Sequence, residues 1–111
     1  MARMNYVELT AFDVGRARRF YEQAFGWTMT DFGPTYTATT TGDTDIGIQA
    51  DSAEAVGAPL PVIEVDDLEG ALAAVLDAGA TLAKPIFAFP GGRRFHFLDP
   101  GGNELACVKP D

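Results

Sequence analysis

At 111 residues, with 47% hydrophobic and 22% charged, the chain has the size and composition of one soluble domain with its own core and no room for a second. Its apolar runs are too short to span a membrane and no leader-like segment opens it, so a cytoplasmic protein with no membrane partner is expected. The net charge of -8 argues against nucleic acid as a partner, and the single cysteine, Cys107, excludes an internal disulfide and a cysteine-based metal cluster.

Tyr6 to Ala11 alternates as a strand, and Asp13 is placed to cap a helix. Val14, Ala17, Phe20, Tyr21, Ala24 and Phe25 recur at helical spacing, and Gly26 stops the run. Arg16, Arg18, Arg19, Glu22 and Gln23 fill the other face as a solvated surface. Three strands are predicted next, about Trp27 to Phe32, Thr35 to Thr41 and Asp45 to Ala50, punctuated by Gly33-Pro34 and by Thr41 to Thr44. Residues 52–59 are rich in small residues and read as a linker.

Leu60 to Val65 is the next strand. Asp66 with Glu69 suggests a capping box, and Leu68, Ala71, Leu72, Val75 and Ala78 form an apolar helical stripe that ends at Gly79. Three further strands are predicted at about Thr81 to Phe89, Arg93 to Leu98 and Glu104 to Val108, with turns at Pro90 to Gly92 and Asp99 to Asn103. Cys107 falls in an apolar strand, where a buried structural thiol is expected.

The order strand, aspartate, helix, glycine stop, then three strands thus occurs twice. Module one spans about 4–51 and module two about 60–110, giving an α+β fold in a single domain.

Three motifs stand on this duplicated frame: Asp13-Val14-Gly15-Arg16-Ala17-Arg18-Arg19-Phe20-Tyr21, then Phe25-Gly26-Trp27, then Asp99-Pro100-Gly101-Gly102-Asn103. With them the sequence resembles the vicinal oxygen chelate superfamily, which includes glyoxalase I, extradiol dioxygenases and the fosfomycin and bleomycin resistance proteins. The resemblance covers nearly the whole chain. It implies that each half curls its strands, so that the pair forms a curled sheet enclosing a cleft.

Metal-dependent relatives take His or Gln from each opening strand and usually Glu from each closing strand. By resemblance those positions fall on Tyr6, Leu60, Ala106 and Ile48, or Gln49 if the register shifts. Tyrosine, leucine, alanine and isoleucine do not replace imidazole and carboxylate, so no metal and no cofactor are expected.

Strand alternation then places Tyr6, Glu8 and Thr10, Glu64, Glu104, and Arg94 with His96 on the ligand-facing side. His96, Glu104 and Glu8 are the candidate acid/base residues. Tyr6, Thr10, Glu64, Arg94, Trp27, Phe32 and Tyr36 are the candidate ligand-binding residues, with Phe87 and Phe89 as further aromatic walls. Each has a plainer reading as a solvated residue, a salt bridge such as Arg94 to Glu104, or packing.

The leading expectation is a metal-independent binding protein for a small drug or metabolite, cationic or aromatic, acting as a homodimer. The alternatives are a glyoxalase-like lyase or isomerase using His96 with a carboxylate, and a protein-interaction domain with a filled cleft.

Overall fold

The computed structural model describes residues 2–111. The elements follow in the order β1 (Arg3–Thr10), α1 (Val14–Phe25), β2 (Thr30–Asp31), β3 (Tyr36–Ala38), β4 (Asp45–Gln49), β5 (Leu60–Glu64), α2 (Leu68–Asp77), β6 (Thr81–Phe89), β7 (Gly92–Leu98) and β8 (Glu104–Pro110). The βαβββ order therefore occurs twice in an α+β chain. In each half the last strand returns parallel to the first, β4 beside β1 and β8 beside β5, while the strands between pair antiparallel.

The chain divides into two compact units, Tyr6–Leu60 and Pro61–Asp111, with the opening residues up to Asn5 belonging to the second. The sheet order is β2-β3-β4-β1-β5-β8-β7-β6. This corrects the expected curled sheet with a cleft: the strands form one open series with β2 and β6 as its two edges. Alternation tells which residues share a face, not whether that face bends. Closing such a series needs edge strands that can pair, and β2 offers only two residues.

Local chemistry explains most element boundaries. Asp13 caps α1 by accepting from the Arg16 amide at 3.1 Å, and Gly26 closes it in the left-handed conformation at φ 69°. The α2 cap is Asp67, not Asp66, and it accepts from the Gly70 amide at 3.0 Å. A capping box cannot form because glycine occupies the third helical position. Glu69 instead bonds Arg93 of β7 at 2.7 and 3.2 Å.

Strands β2 and β3 are shorter than predicted. Trp27 stacks on Tyr21 and Phe25, which holds the chain against the end of α1. At the far end of β3, Asp45 gathers the Thr39 and Thr41 hydroxyls and the Thr41 and Gly42 amides at 2.7–3.0 Å, which turns the chain out of the sheet.

In the second half, Val65, Leu68, Phe95, Phe97 and Cys107 form a buried cluster flanked by Ala71, Leu72 and Val75 of α2. Burial pushes the Cys107 thiol up, as suits a structural cysteine.

Candidate functional site

Because Phe95 and Phe97 point into the core beneath α2, Arg94 and His96 of β7 point to the opposite face of the sheet. The register opposes His96 to Ala106 and Leu98 to Glu104, so Glu104 is a diagonal neighbour of the imidazole. His96 Nδ1 and Glu104 Oε2 lie 2.7 Å apart. A carboxylate only accepts, so Nδ1 carries the proton in this pair and Nε2 of the neutral ring presents its lone pair.

Nε2 is buried and meets no hydrogen-bond partner among the described residues, and His96 as a whole is 1% exposed. Burial lowers the His96 pKa from its ordinary value. The Glu104 hydrogen bond opposes that shift, while the Arg94 and Lys84 charges reinforce it. The ring is therefore neutral near pH 7.

Arg94 lies on the same face of β7 as His96. Its guanidinium lies over the rings of Phe87 and Phe89, 5.2 and 5.1 Å from their centroids. The Phe87 ring is also 5.9 Å from the imidazole. Glu64 shares this face through the ladder Glu64–Val108–Arg94, and its Oε1 accepts from Asn5 Nδ2 at 2.6 Å. Asn5 Oδ1 is a second buried acceptor with no donor among the described residues.

The first half builds a different polar group. Tyr6, Glu8 and Thr10 alternate along β1, and Glu8 faces Gly47 of β4. Tyr36 of β3 donates its hydroxyl to Glu8 Oε2 at 2.9 Å and meets the Tyr6 hydroxyl at 2.7 Å. Since Tyr36 gives its proton to Glu8, Tyr6 is the donor in the second bond. Burial, with Tyr6 and Glu8 adding to it, pushes the Tyr36 phenol far above its ordinary value.

Gly47 makes this arrangement possible. A methyl group there would overlap both hydroxyls, which sit in the space a side chain would fill. Sequence reasoning did not select Gly47 or Asn5. The signal for Gly47 was present as a glycine between two isoleucines in a strand, the mark of a close approach.

The remaining candidates lie apart from these groups. Trp27 stacks on Tyr21 and Phe25 beside α1, and Phe32 is exposed after β2. Thr10 lines a cavity between α1 and its strands.

The residues at the usual metal positions do not fit a metal. Leu60 and Ala106 are fully buried apolar residues, and Ile48 is buried. Tyr6 is bound to Tyr36, and Gln49 Oε1 accepts from the Asp51 amide at 3.0 Å. No group of three or more His, Cys, Asp or Glu that could hold a metal occurs among the described residues.

The family model of the Glyoxalase/Bleomycin resistance protein/Dioxygenase superfamily matches residues 3–107. The chain belongs to this superfamily. It is a divergent member that lacks the usual metal ligands.

Solved structures with the same fold include a protein described as an NAD-dependent benzaldehyde dehydrogenase from Legionella pneumophila, at 15% identity and TM-score 0.78, covering 96% of this chain and 99% of that one. Methylmalonyl-CoA epimerase from Mycobacterium tuberculosis is similar at 14% identity and TM-score 0.76, covering 97% and 87%. The Mn(II)-bound glyoxalase from Novosphingobium aromaticivorans is similar at 18% identity and TM-score 0.70, covering 98% of this chain and 40% of that one. No curated protein sequence matches the chain. At these identities the structural likeness speaks for the fold alone.

Proposed function

We propose that the protein is a metal-independent binder of a small molecule, held on the sheet face of the second half around His96, Glu104, Glu64 and Arg94. The observation that carries this reading is Nε2 of His96, buried with no partner among the described residues, with Asn5 Oδ1 as a second such acceptor in the same unit. A buried polar atom without a partner costs about 1–3 kcal/mol, so a ligand that supplies the missing bond recovers that cost. Both atoms are acceptors. The Arg94 guanidinium on the same face only donates, so the complementary ligand carries acceptors as well as donors, as a polyol or an amino alcohol does.

Because Nε2 is covered, ligand access requires a neighbouring side chain to move; the Phe87 ring centroid lies 5.9 Å from that of the imidazole. The proposed setting is a cytoplasmic homodimer. Exposed Phe32, beside the edge strand β2, supplies apolar surface that a second copy would cover.

A thermal-shift screen of amino alcohols and polyols tests the reading, since ligand binding to the folded state raises the melting temperature. A hit whose shift disappears in His96→Leu supports it. Hits that bind the variant equally well would sink it. Stoichiometric divalent metal in protein purified without chelators would sink the metal-independent part.

A second reading has its own support. An imidazole pinned through Nδ1 to a carboxylate, with its Nε2 lone pair directed elsewhere, is a suitable general base for proton abstraction next to a carbonyl. The proposed roles are His96 as base and Glu104 as the group that orients it. Turnover of a bound hit that His96→Leu abolishes, and Glu104→Gln slows, selects this enzyme reading over simple sequestration.

A further inference from the structure

The first half contains a cavity of about 270 Å³ on the helix side of its strands, away from the Tyr6–Tyr36–Glu8 group. Leu9 and Ile48 form its floor, Ala17 and Tyr21 of α1 one wall, and Ala58 and Pro59 of the segment before β5 its rim. No lining residue carries a formal charge, in a chain with 24 Lys, Arg, Asp and Glu residues (8 + 16). An apolar cavity of about 150 Å³ is enough to hold benzene. This one therefore has room for a single substituted ring.

We infer that this cavity is a binding site for a small, neutral ring compound, separate from the sheet-face site of the second half. The absence of charge on its walls selects a neutral occupant, because burying a charged group without a partner is costly. Tyr21 links the cavity to an aromatic stack: its ring lies 5.7 Å from that of Trp27 at an interplanar angle of 5°, and Trp27 in turn stacks on Phe25 at 5.1 Å.

A second copy of the chain is the competing occupant. Phe12 is fully exposed next to Ala11 of the cavity, and its ring could enter the cavity of a neighbour. A two-fold approach of that kind brings together two α1 helices whose exposed Arg16 and Arg19 repel. The charge pattern thus favours the small molecule.

Trp27 is the only tryptophan, so its fluorescence reports on this stack alone. The test is a titration with benzyl alcohol, alongside benzylamine and benzoate as charged counterparts of similar shape. Binding is also followed by saturation-transfer NMR on the ligand. The expected result is a saturable change in Trp27 emission and saturation transfer for benzyl alcohol, both weaker for the two charged compounds.

Ala17→Phe and Ala58→Phe each place a ring in the cavity and should abolish the response. Ala58 lies outside the helices and strands, so the second variant carries the test if the first does not fold. The inference is overturned by a non-saturable response, by equal binding of benzoate, or by a response that survives Ala58→Phe. It is also overturned if Trp27 emission changes with protein concentration alone and Phe12→Ala removes that change, because the occupant is then a second copy.

Discussion

Helix α2 presses Leu68 and its apolar neighbours onto Phe95 and Phe97, whereas α1 has no buried residue and leaves a cavity over Leu9 and Ile48. The compositions explain the contrast. The stretch Leu68–Asp77 has two acidic residues among leucine, alanine and valine, while Val14–Phe25 carries three arginines, a glutamate and a glutamine. The polar groups differ as well. The second half sets an imidazole against a carboxylate and leaves one nitrogen unsatisfied, and the first locks two phenols onto a carboxylate over a glycine. A repeated backbone frame therefore does not repeat its energetics or its chemistry: α2 closes on its strands by packing, while the first half leaves a cavity under α1 and adds a hydrogen-bonded tyrosine pair over a glycine.

The sharpest way to break this comparison is to remove packing from the second half. Phe95→Ala deletes a fully buried ring and should cost about 3–5 kcal/mol, read by chemical denaturation. A cost near that of a surface substitution would show that the cluster is not what holds this half. In the first half the vulnerable position is Gly47. Gly47→Ala forces the two tyrosine hydroxyls apart, and the overpacking should cost about 1–3 kcal/mol. Gly47→Ala in a Tyr36→Phe background, which removes one hydroxyl, should cost less. An unchanged cost would mean that the hydroxyls are not the obstacle.

A pH series sharpens the polar contrast. The fold lowers the His96 pKa below 6.5, so the unfolded chain binds this proton more readily than the folded one. The associated stability is complete above pH 6.5 and is lost as pH falls through the folded value. Arg94 and Lys84 face the ring as positive charges and Glu104 as its hydrogen-bond partner. Relative to wild type, His96→Leu should lose less stability between about pH 6.5 and 5, before carboxylates dominate the titration. Parallel curves for the two proteins would contradict the shift. The smallest effect is expected on the helix without buried residues. Phe20→Ser on exposed α1 should change the stability of the isolated chain by no more than about 0.5 kcal/mol, measured at low protein concentration.

The sequence made legible those features that rest on local chemistry or a period of two. Asp13 and Gly26 marked α1 because capping geometry depends on a few adjacent residues. Alternation along β7 separated Phe95 and Phe97 from His96, and the register then brought in Glu104. Asp66 and Asp67 were indistinguishable as caps until their backbone geometry was known. The early end of β3 depends on Asp45 accepting bonds from threonines across a turn. The partner of Glu8 lies on β3, two strands away across β4, so it required the full pairing order. The open course of the sheet is a property of all its edges together and has no local signature.

Gly47 also bears on what a change at Tyr6 would entail. By the resemblance, Tyr6 falls at the position from which metal-dependent relatives take their opening-strand ligand. A Tyr6→His substitution there does not act alone. Removing the Tyr6 phenol takes the donor from Tyr36 and opens a gap beside a residue with no side chain to fill it. Positions 6, 36 and 47 form an interlocked set in which each residue suits the present state of the other two. A change at any one of them is therefore costly unless the others change with it.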